Sequence, residues 1–289
     1  MPLDILTHLY GVEDNLLIQR LAKKVNTIEA HWKKKFEKHI EELTDSILKK
    51  AKKTGRLDLK EVDFEELIMR HRLDVVRQAT EHAKKTPAKS ALAGPWGIPK
   101  NKAKKMSLLE IIRRQYDTWK KTGKMPKDNK IVADGMKNTY INKLKEAYKK
   151  HGEEFRQGSV YDQEEARVKI QKEANVTYSR AKTIVNTETT RYYNQARIDF
   201  YDDAEGVTHF LFMAIRDART TKWCNDRHRL VYEKDSEYLR KETPPCHWNC
   251  RSEILPLTPS NPRHKKYIKE RGAQRKNRRP KPLPPGWND

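Results

Sequence analysis

The chain has 289 residues, with 62 Lys and Arg against 40 Asp and Glu, a formal net charge of +22 and a hydrophobic fraction of only 36%. That balance allows one or two modest cores with long solvated surfaces or arms, and it favours a polyanionic partner, nucleic acid first. A helical membrane protein is excluded, because no stretch approaches the roughly 18 to 20 uninterrupted apolar residues of a span; the longest apolar island, Phe210 to Ile215, has the length of a strand.

Residues 1–85 read as an N-terminal helical hairpin. Leu16, Leu17, Leu21, Val25, Ile28, Trp32, Phe36, Ile40, Leu43 and Ile47 recur at three- and four-residue steps, with Lys23, Lys24 and Lys33 to Lys35 largely on the opposite face. Thr54-Gly55-Arg56 breaks this helix, and a second runs from Phe64 to Lys85. Residues 86–105 are a linker or loop, with Pro87, Gly94, Pro95, Gly97 and Pro99 among lysines and with Trp96 as an exposed anchor or a plug in a groove.

A helical region follows over 106–158, its first helix carrying Leu108 to Trp119 and ending at Gly123 and Pro126. Within an α+β module at 159–257, Glu164 to Asp202 reads as one long helix, in which Glu188 pairs with Arg191 or Tyr192 one turn on. Gly206 marks a turn, and Val207 to Ile215 reads as a strand with both faces largely covered. No repeat and no phosphate-cradling glycine loop occurs.

All three cysteines fall in one run, with Cys224 and His228 in a first loop and Cys246, His247 and Cys250 in a second. Two readings stand. In one, Cys224, His247 and Cys250 hold a structural zinc ion, with His228 preferred to Cys246 for the fourth place because neighbouring Cys246 and His247 would strain to reach one ion. In the other, the cysteines are reduced, partly buried thiols and the histidines make ordinary hydrogen bonds. An odd cysteine count and no secretory leader point to a reducing compartment. Beside these residues, Asp217 and Arg219 are expected to tie the strand end to the next loop, with Asn249 and Arg251 doing the same for the second; phosphate contact by Arg219 and Arg251 is the alternative.

Asp217-x-Arg219-Thr220, a cysteine, then Pro244-Pro245-x-His247-x-Asn249-Cys250-Arg251 resembles the signature of the minor head proteins, or head morphogenesis proteins, of tailed double-stranded DNA bacteriophages. Upstream, Arg180-Ala181-x-Thr183-Ile184-Val185-x-Thr187-Glu188-Thr189 and Tyr193-Asn194-Gln195-Ala196-Arg197 are similar to the helix preceding it, so the resemblance covers about 160 to 257. The family often has a cysteine directly after Asp-x-Arg-Thr and a second three residues on; here Thr221 and Cys224 stand in those places.

Residues 258–289 read as an extended basic arm. Over 262–281, ten Lys or Arg face the single acid Glu270, a local charge of +9, and prolines follow. Such a segment buries too little apolar area to order itself. Lys265, Lys266, Lys269, Arg271, Arg275, Lys276, Arg278 and Arg279 suit non-specific phosphate contact, Trp287 suits docking on a partner, and removing 262–289 is expected to leave the helical core folded.

The expected fold is α+β: mainly long helices, a small C-terminal mixed module with a strand and a zinc knuckle, then the basic tail. The resemblance implies a minor capsid protein of the virion head, assembled in the host cytoplasm near the portal vertex. Its implied partners are portal protein and major capsid protein or scaffold; the charge adds packaged double-stranded DNA, and no membrane is expected. No catalytic residue is identified, since a Cys224–His247 pair lacks an orienting group and an oxyanion site. The alternative is a metal-dependent nuclease or nucleic-acid-binding module on the Cys/His cluster, suggested by His247-x-Asn249, without a second histidine-bearing hairpin.

Overall fold

The computed structural model describes residues 12–85, 106–202, 204 and 206–272. The linker at 86–105 with Trp96, and Arg275, Lys276, Arg278, Arg279 and Trp287 of the arm, lie outside the described residues. The helices are α1 (Val12–Thr54), α2 (Glu65–Lys85), α3 (Leu108–Thr122), α4 (Lys127–Gln157), α5 (Val160–Ala174), α6 (Val176–Asp202), α7 (Lys222–Arg227), α8 (Glu237–Glu242) and α9 (Pro262–Gly272); the strands are β1 (His209–Met213), β2 (Val231–Glu233) and β3 (Glu253–Leu257). No helix among the described residues is long and apolar enough to cross a membrane.

These residues form two compact units interleaved along the chain, where the sequence reading divided it linearly. One comprises 29–71 and 115–185. In it the apolar stripe of α1 is buried as its period requires, with Trp32, Phe36, Ile40 and Ile47 at or below 2% exposure. Trp32 and Phe36 meet His71 of α2 edge-on, and His39 Nε2 donates to the carbonyl of Asp63 at 2.8 Å. Glu65, in the first turn of α2, accepts from Trp119 Nε1 at 3.1 Å and from Lys130 Nζ at 2.5 Å.

α5 packs along α4 in this unit, although the sequence reading grouped it with the strand. The single helix expected from Glu164 to Asp202 is two. Ser159 starts α5 with a reciprocal capping box to Asp162, and α5 ends at Ala174, leaving Asn175 as its C-cap before α6 begins at Val176. The apolar spacing continues across Asn175, so periodicity alone could not show the break.

The other unit contains 12–28, 72–85, 106–114, 186–202, 204 and 206–272. Its centre is an antiparallel sheet in the order β2-β1-β3, with Leu211 opposite Val231 on one side and Leu255 on the other. Alternation along β1 sends Phe210 and Phe212 into a core with Tyr201, Tyr232, Leu239, Ile254 and the three cysteines. Leu211 and Met213 go to the opposite face with Val231, Leu255 and Leu257. Pro256, which has no N–H to donate, is tolerated because β3 is an edge strand.

That opposite face is covered by α9, so the chain beyond Leu257 does not begin as an extended tail. Tyr267 and Ile268 of α9 pack on the Leu211 cluster, while Lys265, Lys266 and Lys269 are exposed. An existing apolar face supplies the surface that the segment lacks by itself. His264 fixes the entry to the helix: it is buried, and its Nδ1 accepts the backbone N–H of Thr258 at 3.0 Å.

Burial lowers the His264 pKa to about 4. A folded pKa below the unfolded value near 6.5 gives stability that is present above pH 6.5 and lost as pH falls through 4, about 3 kcal/mol in all. Glu253, whose pKa burial raises to about 7 against the opposing effect of Arg197, works in the other direction, losing stability as pH rises from 4.5 through 7. Global melting mixes the two. Hydrogen exchange at the Thr258 amide, corrected for intrinsic rate, is therefore expected to lose protection between pH 6.5 and 4; protection unchanged down to pH 4 would contradict the His264 latch.

Candidate functional site

The site is built from two loops leaned on α6. In the first, Thr221 caps α7 by accepting the N–H of Cys224 at 3.4 Å, and α7 carries Cys224 into the core. In the second, the Cys250 N–H closes a turn on the carbonyl of His247 at 3.3 Å, with Asn249 at φ +56. Asparagine tolerates that left-handed position, and the turn brings Cys250 back beside His247.

A polar ladder on α6 holds the second loop and β3. Thr187 Oγ1 accepts the Asn249 N–H at 3.0 Å, and Thr190 Oγ1 donates to the Cys250 carbonyl at 2.6 Å. Asn194 donates to the Ser252 carbonyl at 3.1 Å and accepts the Ile254 N–H at 2.9 Å. Residues 187, 190 and 194 share one helical face, so their side chains satisfy the outer edge of β3 as a neighbouring strand would. One turn on, Arg197 pairs with Glu253 at 3.1 Å, both largely buried.

Asp217 and Arg251 join the loops directly. Arg251 Nη1 donates to Asp217 Oδ2 at 2.7 Å and Nη2 donates to Oδ1 at 2.6 Å, a two-pronged pair. The Arg219 N–H also donates to Asp217 Oδ1, at 2.9 Å, and Thr220 Oγ1 donates to the Ile215 carbonyl. The Arg251 fork, assisted by the Arg219 N–H, holds the Asp217 carboxyl well below the usual carboxylate range. Asn249 Oδ1 accepts from Asn186 Nδ2 at 2.9 Å. The Arg219 side chain is 77% exposed, with a guanidinium nitrogen 3.8 Å from Asp217.

Behind this clamp Cys224, His247 and Cys250 converge, their donor atoms all within 4.8 Å of one another. Cys224 Sγ lies 3.1 Å from His247 Nε2 and 3.7 Å from Cys250 Sγ. His247 Nδ1 donates to the Trp248 carbonyl at 2.8 Å, which aims Nε2 at the thiols. Hydrogen bonds to Cys224 and Cys250 raise the His247 pKa to about 10, and Cys250, bonded to Cys224 first and Cys246 second, is held well below an ordinary thiol. Cys246 is pushed up by its bonds to Cys224 and Cys250 and by burial. A metal ion and the Nε2 proton compete for one lone pair, so binding would displace that proton.

The cluster can hold a metal ion. Two sulfurs bound to one tetrahedral ion at about 2.3 Å each lie roughly 3.8 Å apart, and the 3.7 Å between Cys224 and Cys250 matches that edge. The cysteines are free thiols. His228 stands outside this group: it ends α7, and its Nδ1 accepts the Ala214 N–H at 3.2 Å at the end of β1.

A family model described as Phage Mu protein F like protein matches residues 136–255. The match begins inside α4, ahead of the stretch that the sequence signature covers, and ends within β3. It takes in less than half of the chain but the whole constellation above: ladder, clamp and Cys/His cluster. No curated protein and no solved structure matches.

The ladder was not read as functional from sequence. Its signal is Thr-x-x-Thr-x-x-x-Asn, which sets three polar side chains along one face of a helix where core packing would call for apolar residues.

Proposed function

We propose that the chain is a minor capsid, or head morphogenesis, protein of a tailed double-stranded DNA bacteriophage. It acts as a structural part near the portal vertex of the head and assembles in the host cytoplasm with portal protein and major capsid protein or scaffold. The observation that carries this reading is the Mu F-like match over 136–255, which encloses the Asp217 to Arg251 signature. Co-expression with the portal protein of the same phage tests it: co-purification is expected, and a portal that purifies alone would count against it.

The Cys/His cluster fits a structural zinc ion better than a catalytic one. Its sulfurs are buried, Cys224 at 2% and Cys250 at 0% exposure, and a structural zinc site is closed whereas a catalytic one keeps an open position. Zinc bound there would staple the first loop to the second, beside the Asp217–Arg251 pair. We read the protein as a non-enzyme on the same ground. Plasmid nicking that depends on a divalent metal and is abolished by His247→Ala would instead support the nuclease alternative.

Contact with packaged DNA follows from charge and from the face that α9 exposes. Lys265, Lys266 and Lys269 are solvent-facing, and Arg271 continues the same basic helix. If these lysines neutralise phosphates, the slope of log affinity against log salt falls by about 0.9 for each one lost. Replacing all three with alanine is expected to flatten the slope by about 2 to 3 units without changing sequence preference. An unchanged slope, with reduced incorporation into heads, would assign the helix to protein docking.

A further inference from the structure

We propose that the outward face of α5 docks the basic C-terminal segment 273–289 of a second copy of this chain, in a head-to-tail contact. Six large apolar side chains are exposed among the described residues, and four of them, Val160, Tyr161, Val168 and Val176, lie between 160 and 176. Apolar side chains scattered singly are ordinary on a surface, whereas a cluster marks contact. Tyr161 is 77% exposed, Val160 beside it 87%, and Val168 50%. Tyr161 and Val168 stand two helical turns apart on one face, about 10 Å along the axis. Ala166, Ile170 and Ala174 are buried on the opposite side of the helix.

Charge selects the occupant. The chain carries +22, yet residues 153–165 hold Glu153, Glu154, Asp162, Glu164 and Glu165 against Arg156 alone, a local charge of −4. All five acids are exposed. Gly158 lets the end of α4 approach the start of α5: a Cβ there would meet the Glu154 carbonyl at 2.6 Å and Asp162 at 2.8 Å, so acids from both helices rim the apolar face. Glu164 and Glu165 pair with Arg167 and Lys169 of the same helix, and surface pairs of this kind hold weakly enough to exchange for a partner's cations. Residues 273–289, outside the described ones, have the complementary composition. They contain Arg275, Lys276, Arg278, Arg279 and Lys281 against Asp289, a charge of +4, with Leu283 and Trp287 as apolar anchors. Proline fixes its own φ, so a segment with Pro280, Pro282, Pro284 and Pro285 loses less entropy on docking, and an exposed aromatic ring is the kind of surface that Pro-rich segments seat on. Copies of so basic a chain otherwise repel. Because two different surfaces meet, the contact propagates into rings or filaments instead of stopping at a dimer.

Sedimentation of the nuclease-treated full chain over a range of concentrations tests this. Average mass is expected to rise with concentration at low salt and to fall back as salt is added; a monomer throughout would overturn the proposal. Tyr161→Ala and Trp287→Ala, with helical circular dichroism checking the fold, are each expected to weaken self-association at least about tenfold, the loss typical of an interface anchor. Wild-type association by either variant would also overturn it. Each variant keeps one intact half of the contact, so an equimolar mixture of the two is expected to recover heterodimers at wild-type affinity, and no recovery would show that Tyr161 and Trp287 do not belong to opposite halves. A photo-crosslinker at Val160, in a mixture of chains labelled with light and heavy nitrogen, identifies the occupant. Mixed-isotope links to residues 273–289 are expected; links to another segment, or only within single chains, would contradict docking between copies.

Discussion

Ending the chain at Asn261 is expected to unfold the sheet. Deleting α9 strips Tyr267 and Ile268 from Leu211, Met213, Val231, Leu255 and Leu257, which are buried beneath it. Full exposure of such side chains costs about 1.5–3 kcal/mol each, so even partial exposure of five totals about 5 kcal/mol. That is comparable to the whole stability of a small domain, commonly about 5–15 kcal/mol. The expectation that removing 262–289 leaves the helical core folded, drawn from the segment's few apolar anchors and its like charge, does not extend to this sheet, whose face packs on Tyr267 and Ile268. Urea unfolding of chains ending at Asn261 and at Gly272 separates the two views: the longer keeps the cover and should retain the sheet, and equal stability of both would show that α9 contributes nothing.

Asn194→Leu is expected to cost about 2–5 kcal/mol. The side chain serves the Ser252 carbonyl and the Ile254 N–H at once, and it also donates to the Thr190 carbonyl at 2.9 Å within its own helix. Leucine matches it in size but leaves two buried backbone groups without partners, at about 1–3 kcal/mol each. The loss should appear first as exchange of the Ile254 amide and then as reduced urea stability. A change below about 1 kcal/mol would mean that water or a shifted strand replaces the ladder.

What the sequence showed and what it hid follow from the range of each signal. The stripe from Trp32 to Ile47 and the alternation of Phe210, Leu211, Phe212 and Met213 are short-range patterns, and they specify α1 and β1 directly. β2 has three residues, too few to alternate, and β3 contains Pro256, which argues against a strand until its edge position is known. α9 offers only Tyr267 and Ile268 among its lysines, so its order depends on a face formed by residues far away in sequence. The interleaving of the two units has no local marker, because their boundaries fall inside α1, α2, α3 and α6.

At the site, the clustering of Cys224, His247 and Cys250 was legible from composition and spacing, since few other residue types hold a soft metal. The place of His228 was not. Its proximity in sequence to Cys224 suggested a shared loop, but it closes α7, where its ring accepts the Ala214 N–H. Asp217 and Arg251 were each expected to tie down a loop; that they tie each other is a long-range pairing that no spacing rule contains.

Quantitative mass spectrometry of purified heads, from the phage that encodes this chain, tests the central claim most directly. The account predicts the protein inside or on the head at low copy number, recovered with the portal when heads are disrupted. Heads that assemble and package DNA with no trace of it, while the protein remains in the lysate, would contradict a structural role in the virion.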